Sequence, residues 1–334
     1  MQMILNTTGL ALKVEKGVFL VSTGDERRLI SPESLHSIAI TSPCLLSSAA
    51  IELAADAGIP IYFYDDTGDA RSCLRSPYFD SLATLRRKQV YFSDDLAGSC
   101  WVLEQFRHKT QHQLQNLTYL QDRRGSQEGA LQTAILALQE GLLTLNTHQQ
   151  IPSSTWSAGL MGWEGSQARA YWQAVAAALP AAWTFKSRTR RPAQDAFNAL
   201  LNYFYGFLYG IVEQGIFAAG LDPHLGILHV DDYDRPTLSY DLIEAFRPWV
   251  DRFILELVLS DQVEQGYFEP RSSGIFLNSN GKRFLIPQFN EWMKQAVRWQ
   301  ERQMSREAQI FRAAAMLAKH IQETVQRPDP AAAP

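Results

Sequence analysis

The chain has 334 residues, and its 31 lysines and arginines against 35 aspartates and glutamates give a formal net charge of −4. This balance excludes a protein that coats nucleic acid through overall positive charge. With 46% hydrophobic and 20% charged residues, the composition is that of a folded globular protein, and the length suits two modest domains.

Residues 1–76 are predicted to form a small N-terminal β-rich domain. Leu12 and Val14 alternate with charged residues, as in a strand with one buried face. A serine-started helix over 47–58 then precedes an apolar strand over 59–64. We therefore expect short strands and hairpins with one helix packed against them.

The pattern changes after residue 76, where strand alternation gives way to apolar residues that recur at helical spacing. We expect a linker over 77–95, a larger, all-helical catalytic domain over 96–327 and a disordered tail over 328–334. The predicted fold class is therefore α+β with two domains. Long helices are expected over 97–121 and 129–145.

A central helix is predicted between Pro192 and Gly220, and a final helix, continuous or broken, over 286–326. The central helix carries an apolar stripe at spacings of one, three and four: Phe197, Leu200, Leu201, Phe204, Leu208, Ile211 and Val212. Its uncharged part is shorter than the roughly 20 residues of a membrane span. The three cysteines form no CxxC pair, and the N-terminus lacks the features of a signal peptide, so we expect a cytoplasmic protein with no membrane partner.

Four polar residues in the helical part are candidates for a divalent-metal site. Glu164 lies between two glycines where the sequence predicts a helix to begin, and a glutamate that only complements the helix dipole is the alternative. His229 ends a turn, and Asp241 and Glu244 are three residues apart, so they share one helix face or belong to a solvated acidic surface. Mixed carboxylate and imidazole ligands favour Mn²⁺ without excluding Mg²⁺.

A basic segment over 183–192 is the candidate phosphate-binding surface, and a solvated loop is the alternative. Its cations, with no acid between them, are Lys186, Arg188, Arg190 and Arg191. The central helix that follows places hydrogen-bonding side chains on one face: Asn198, Asn202, Tyr205 and Tyr209. They can bond phosphate or surround a metal's ligands, or simply pack between helices.

These segments together resemble the CRISPR-associated spacer-acquisition integrases, the metal-dependent DNA endonucleases of CRISPR adaptation. The matching residues, in chain order, are Gly162 to Gly165 with Ala168, Arg169 and Tyr171; Arg188 to Pro192 with Asp195 and Asn198 to Tyr203; Gly220 to Pro223 through His229; and Asp241 to Pro248. The resemblance covers the chain to about residue 325.

The resemblance implies that Glu164, His229 and Glu244 bind the metal, Mn²⁺ or Mg²⁺, with Asp241 as a supporting acid. It also implies a set of DNA-binding side chains: Lys186, Arg188, Arg190, Arg191, Asn198, Asn202, Tyr205 and Arg247. For Arg247, pairing with an acid of the site and packing beside Trp249 remain open alternatives.

The implied reaction joins a captured DNA fragment to a CRISPR repeat when its 3′-hydroxyl attacks a phosphodiester at the repeat edge. The implied partners are double-stranded DNA, as spacer precursor and as CRISPR repeat, a second copy of the chain in a homodimer formed through the β-rich domain, and a small ferredoxin-like adaptation protein. A non-catalytic DNA-binding subunit of the same complex is the alternative, and it predicts the loss of a metal ligand. An enzyme of small phosphorylated metabolites predicts a glycine-rich phosphate loop, which the sequence lacks.

Overall fold

The fold is taken from a computed structural model of the chain. It describes residues 2–24, 26–35, 37–65, 68, 70–76, 83–123, 128–145, 153–189, 192–229, 235–299 and 302–325. Two of the predicted DNA-binding residues, Arg190 and Arg191, lie outside these ranges, as does the predicted tail over 328–334.

The N-terminal domain consists of two four-stranded sheets and one helix. Its elements are β1 (Gln2–Leu5), β2 (Ala11–Glu15), β3 (Val18–Thr23), β4 (Glu26–Ile30), β5 (Ser37–Ile40), β6 (Leu45–Leu46), α1 (Ser48–Asp56), β7 (Ile61–Tyr64) and β8 (Ala70–Leu74). One sheet has the order β4-β3-β2-β6 and the other β1-β5-β7-β8, in which the first three strands are parallel. Lys16 and Gly17 adopt positive φ angles of 50° and 77°, which close the β2–β3 hairpin.

The two sheets and α1 enclose a hydrophobic core of their own. Fully buried side chains from each layer meet there, among them Leu12, Phe19, Ile38 and Ala50. Leu12 and Phe19 belong to one sheet and Ile38 to the other, so α1 and both sheets are held together by apolar burial. The predicted β-rich domain with one helix is thus confirmed.

The rest of the described chain is mainly helical. Its elements are α2 (Ala83–Asp94), α3 (Leu96–Arg123), α4 (Glu128–Leu145), α5 (Ser153–Ala178), α6 (Ala196–Ala218), α7 (Thr237–Ile243), α8 (Arg247–Leu259), β9 (Phe268–Arg271), β10 (Gly274–Leu277), α9 (Ser279–Lys294), β11 (Ala296–Trp299), β12 (Arg302–Ser305) and α10 (Arg306–Thr324). The two-domain α+β class is confirmed, although β9–β10 and β11–β12 add two hairpins to a domain that we expected to be all helical. Within the described ranges, no helix has both the length and the apolar character needed to cross a membrane.

Helix α6 is the centre of the helical domain, as its apolar stripe predicted. Asp195 caps its N-terminus by accepting a 2.7 Å hydrogen bond from the backbone NH of Asn198. Most of its side chains are buried among α7, α8 and α10. The predicted final helix is broken, because the β11–β12 hairpin separates α9 from α10.

Helix α2 occupies most of the predicted linker over 77–95. Leu85, Gln89 and Phe92 lie on one face of α2 and are buried against the helical domain. Gln89 donates to the backbone carbonyls of Asp222 and Leu225, at 2.7 and 3.2 Å. Residues 83–94 of the segment that we expected to be a linker therefore form a helix that packs against the helical domain.

The two domains meet where β7 approaches α6. The ring of Tyr64 stacks on that of Phe207, with centroids 4.9 Å apart. Gly210 lies one helical turn farther along α6, and a Cβ atom there would overlap the hydroxyl of Tyr64. The absence of a side chain at Gly210 is what lets the strand come this close to the helix.

We predict that Gly210→Ala lowers the free energy of unfolding by about 1–3 kcal/mol, because Tyr64 is buried and stacked and cannot move aside. Gly215→Ala on the same helix is the matched control, since its Cβ would meet other atoms at ordinary distances of 3.5–3.6 Å. The control is expected to stabilise by up to about 1 kcal/mol through helix propensity. Urea denaturation of both variants checks this, and equal effects would contradict the close contact.

Candidate active site

The site centres on one lysine that joins two distant acids. Lys109, in the middle of α3, donates hydrogen bonds of 2.6 Å both to Glu164 Oε1 on α5 and to Glu244 Oε2 after α7. The lysine side chain is only 10% exposed, and those of Glu164 and Glu244 are 28% and 11% exposed. Two of the predicted metal ligands are thus brought together around a single cation.

Glu244 is held by a second cation, Arg247. The Nε atom of Arg247 donates to Glu244 Oε1 at 2.7 Å, and its Nη2 donates to the hydroxyl of Tyr209. Burial alone would raise the pKa of Glu244, but Arg247 and Lys109 lower it to about 2. Glu244 is therefore fully ionised at neutral pH, and of the alternatives for Arg247 the structure shows pairing with an acid of the site.

Asp241 organises the turn that carries His229. It is buried, and its carboxylate accepts hydrogen bonds from the backbone NH groups of Ile227, Leu228 and His229. Its Oδ1 atom also lies 2.6 Å from Nδ1 of His229. A carboxylate only accepts, so Nδ1 carries the proton and Nε2 is the nitrogen that remains for a ligand.

The charges around His229 also favour a second proton, on Nε2, which a metal ion bound at that nitrogen would have to displace. Burial alone would lower the pKa of His229, but the hydrogen bond and charge of Asp241, together with Glu244, raise it above the ordinary value. The same interaction lowers the pKa of Glu244, so His229 and Glu244 are close enough to influence each other's charge. Asp241 contacts His229 directly through this hydrogen bond, and its role as a supporting acid of a metal site stays a prediction.

Among the described residues, no three His, Cys, Asp or Glu side chains converge into a ready-made metal-binding group. Lys109 lies between Glu164 and Glu244, and His229 faces Asp241. The donors are nevertheless of the type that Mn²⁺ and Mg²⁺ take, and a cationic nitrogen already bridges the two glutamates. The residues present therefore fit a divalent cation, although the side chains would have to rearrange.

Glu164 does not begin a helix, contrary to the sequence-based expectation. Helix α5 begins at Ser153, and Glu164 lies in its interior. Gly162 and Gly165 are poor helix formers, but a Cβ at either one would meet no atom within 4 Å, so neither glycine is required by packing. The position of Glu164 depends on Lys109 and on the burial of α5, and the helix dipole has no role in it.

Sequence analysis missed a polar face of α3 that anchors the segment after Glu244. His112 Nδ1 donates to the carbonyl of Ala245 at 2.9 Å, and Asn116 donates to the carbonyl of Pro248 at 2.8 Å. Together with Lys109, these residues are spaced by three and four along α3. Helix α3 carries many other polar residues, so this spacing gave no distinct signal in the sequence.

A buried hydroxyl–carboxylate network lies directly behind the site. Asp251 on α8 accepts hydrogen bonds from Tyr205 at 2.5 Å and from Tyr171 at 3.1 Å, and Asn116 donates to Tyr171 at 3.1 Å. Burial raises the pKa of Asp251 to about 6, against the opposing effect of the two hydroxyl groups. The predicted DNA contact by Tyr205 is wrong, because this side chain is buried and bonded to Asp251.

The basic segment is fastened to the start of α6. Asn198 is fully buried; its Oδ1 accepts from Thr189 NH at 2.9 Å and from Arg188 at 3.0 Å, and its Nδ2 donates to Ser187 O at 2.9 Å. A direct contact between Asn198 and DNA is therefore a wrong prediction. Arg188 also donates to Asn202 at 2.7 Å.

Within the described part of this segment, the Lys186 side chain is exposed to solvent, whereas the Arg188 side chain is half-buried. Arg188 and Arg247 approach the ring of Tyr205, with centroid distances of 5.3 and 5.0 Å. Tyr205 thus lies between the basic segment and the arginine that holds Glu244. The buried polar residues position this surface, and Lys186 is free to reach a ligand.

Comparison with protein families gives a match over most of the chain. The model of the family described as CRISPR associated protein Cas1 matches residues 3–291. A CRISPR-associated endonuclease Cas1 of Archaeoglobus fulgidus is 29% identical over 317 residues, which cover 91% of this chain and 92% of that protein. A CRISPR-associated endonuclease Cas1 of Thermus thermophilus is 29% identical over 299 residues, which cover 89% of this chain and 88% of that protein.

Solved structures share the fold. A casposase bound to integration product has a TM-score of 0.81 at 21% identity, covering 98% of this chain and 92% of that one. A Cas1 protein from Thermotoga maritima has a TM-score of 0.78 at 23% identity, covering 98% and 100%. At these identities the likeness shows the fold alone.

We predict that Asp251 makes stability depend on pH. A carboxyl group whose pKa is higher in the folded than in the unfolded state stabilises the fold at low pH, and this contribution is lost as pH rises through the folded pKa, here about 6. Relative to Asp251→Asn, which does not titrate, the wild type should lose on the order of 2 kcal/mol between about pH 4 and pH 7. Denaturation at several pH values measures this difference, and a difference independent of pH would contradict it.

Proposed function

The chain belongs to the CRISPR-associated Cas1 family, and we propose that it is a metal-dependent DNA endonuclease and integrase that inserts spacer DNA into a CRISPR array. The observation that carries the proposal is the meeting of Glu164 and Glu244 on Lys109. These acids come from segments far apart in the sequence, and only the tertiary fold brings them to one place. The curated relatives bear the name endonuclease, and one structural neighbour is a casposase bound to integration product.

Glu164, His229 and Glu244 would hold the divalent cation, Mn²⁺ or Mg²⁺. When bound, such a cation polarises a phosphodiester and stabilises negative charge on its oxygen atoms. Asp241 keeps the proton of His229 on Nδ1 and so directs Nε2 toward the ligand. Arg247 fixes the orientation of the Glu244 carboxylate through its hydrogen bond to Oε1.

The proposed reaction is a transesterification. The 3′-hydroxyl of the captured fragment attacks the phosphorus at the repeat edge, the new phosphodiester forms, and the bond to the former 3′ oxygen breaks and releases another 3′-hydroxyl. One phosphodiester bond forms for each one that breaks, so the step needs no nucleotide cofactor as an energy source. The protein's contribution is to align the two DNA ends and to place negative charge beside the cation.

DNA would lie along the basic segment next to α6. The net charge of −4 means that binding depends on local positive patches, and Lys186 is an exposed member of one. Arg188, Arg190 and Arg191 would extend the patch. Asn202 would act mainly by holding Arg188, because it accepts a hydrogen bond from that guanidinium.

The proposed assembly is a homodimer formed through the β-rich domain over 1–76, joined to a small ferredoxin-like adaptation protein. Among the structural neighbours, one is a Cas6-RT-Cas1–Cas2 complex and another a TtCas1–DNA complex, with TM-scores of 0.77 and 0.59. The first is a complex of a Cas1 with protein partners, and the second is a complex of a Cas1 with DNA. These two neighbours support the proposal that this chain assembles with DNA and with a small adaptation protein.

The test is strand transfer with labelled duplex DNA bearing free 3′-hydroxyls, a supercoiled plasmid with a CRISPR repeat, and Mn²⁺, Mg²⁺ or chelator. The small partner is added in one arm and omitted in another. Glu164→Ala and Glu244→Ala are each expected to lower joining by roughly 100-fold or more, because the cation contributes several kcal/mol to the transition state. Chelator should have the same effect on the unaltered protein.

Glu256→Ala is the matched control for these variants. Glu256 also lies in the helical domain and pairs with an arginine, Arg252 at 2.7 Å, but it is more exposed and outside the site. Its joining activity should equal that of the wild type. DNA binding without joining in every arm would indicate a non-catalytic DNA-binding subunit, and joining that survives Glu164→Ala would contradict the proposed metal ligands.

A separate prediction concerns the basic segment. Lys186→Ala should weaken DNA binding, and the slope of log K against log[salt] should become shallower by about one unit, because one phosphate contact is lost. Lys319→Ala, an exposed lysine on α10, is the control and should leave the slope unchanged. Fluorescence anisotropy between low and moderate salt measures both, and equal slopes for all three proteins would remove Lys186 from the DNA surface.

A further inference from the structure

The proposed mechanism gives Lys109 no role, although its ammonium lies between the two acids. Its ammonium lies 2.6 Å from one oxygen of Glu164 and 2.6 Å from one oxygen of Glu244, so these oxygens are no farther apart than twice that distance. A divalent cation bound through these same two oxygens would need the same space. The ammonium and the cation cannot occupy it together.

The charges of the site also argue against binding the ammonium and a divalent cation at the same time. Glu164 and Glu244 carry two negative charges, and Lys109 and Arg247, in contact with them, carry two positive ones. The metal-free pair of acids is therefore already neutralised. A divalent cation entering beside an unmoved, buried ammonium would meet a repulsion that the surrounding protein screens only in part.

Of the two cations, Lys109 is the one able to leave. Arg247 is held from other sides by the hydroxyl of Tyr209 and the ring of Tyr205. Lys109 has a flexible stem, and both hydrogen bonds of its ammonium go to the two acids. Its ammonium also lies 5.5 Å from the centre of the Phe106 ring, but no hydroxyl group among the described residues holds it as Tyr209 holds Arg247. A displaced ammonium needs another anion, and in the proposed complex the phosphate backbone of DNA would supply it.

We propose that Lys109 is a resident counter-cation that holds Glu164 and Glu244 together in the metal-free protein and is displaced from them when the divalent cation binds. The inference rests on the proposed metal site. Its consequence is that Lys109 lowers the metal affinity of the free protein. DNA, by offering the displaced ammonium a phosphate, raises that affinity, so metal and DNA bind cooperatively.

The test is the Mn²⁺ affinity of the full chain, measured from the electron paramagnetic resonance signal of free Mn²⁺ without DNA and with duplex DNA. Lys109→Met keeps the length and apolar stem of the side chain and removes its charge. We expect it to bind Mn²⁺ roughly tenfold more tightly than the wild type without DNA, and to lose most of the affinity gain that DNA gives the wild type. Lys109→Arg keeps the charge and should retain the weaker affinity.

Thermal unfolding gives a second measurement that does not depend on activity. Without metal, Lys109→Met should melt below the wild type because the two acids repel each other, and saturating Mn²⁺ should raise its melting temperature by more than it raises that of the wild type. If Lys109→Met does not fold, Lys109→Gln replaces it in both measurements.

Unchanged or weaker Mn²⁺ binding in the neutral variants would overturn the inference, since Lys109 would then be a structural ion pair or a residue that prepares the site for metal. Glu244→Ala separates this from a failure of the proposed function. If Glu244→Ala abolishes Mn²⁺ binding while the neutral variants leave it unchanged, the metal site stands and only the role of Lys109 is wrong. If Glu244→Ala also binds Mn²⁺ normally, the metal site itself is wrong.

Discussion

The helical domain is organised around the cost of bringing two carboxylates together away from water. Glu164 on α5 and Glu244 after α7 would repel each other unless cations stood between and beside them. Lys109 on α3 and Arg247 at the start of α8 provide those cations. Four segments are therefore fixed relative to one another by the same charges, and a shift of any one of them would leave a charged group without its partner.

A second group of polar residues makes this arrangement specific. Asn116, Tyr171, Tyr205 and Asp251 form a buried network in which donors and acceptors are matched across α3, α5, α6 and α8. Apolar packing alone would allow these helices to slide by small amounts. Buried hydrogen bonds tolerate such shifts poorly, because an unpaired polar group inside the protein is costly. The network thus holds the helix that carries Arg247 in register with the helix that carries Lys109.

The limits of prediction from sequence are clear at particular residues. The stripe of α6 and the alternation in β2 follow from local periodicity, and both were predicted. Glu164 was misplaced because Gly162 and Gly165 indicate a helix boundary locally, whereas tertiary packing continues α5 through them. Lys109 was missed because its partners lie 55 and 135 residues away in the sequence, and a lone lysine in a helix usually faces solvent.

Asn198 is fully buried, but its hydrogen bonds position the basic segment at the surface. The sequence predicted a phosphate contact, but the side chain bonds Ser187, Arg188 and Thr189 instead. These bonds fix the path of the basic segment before any ligand arrives, so less conformational freedom is lost on binding. Arg188 then approaches the ring of Tyr205 from the segment, and Arg247 approaches the same ring from Glu244. The position of the basic segment is in this way tied to the position of the carboxylates, as the proposed integrase reaction would require.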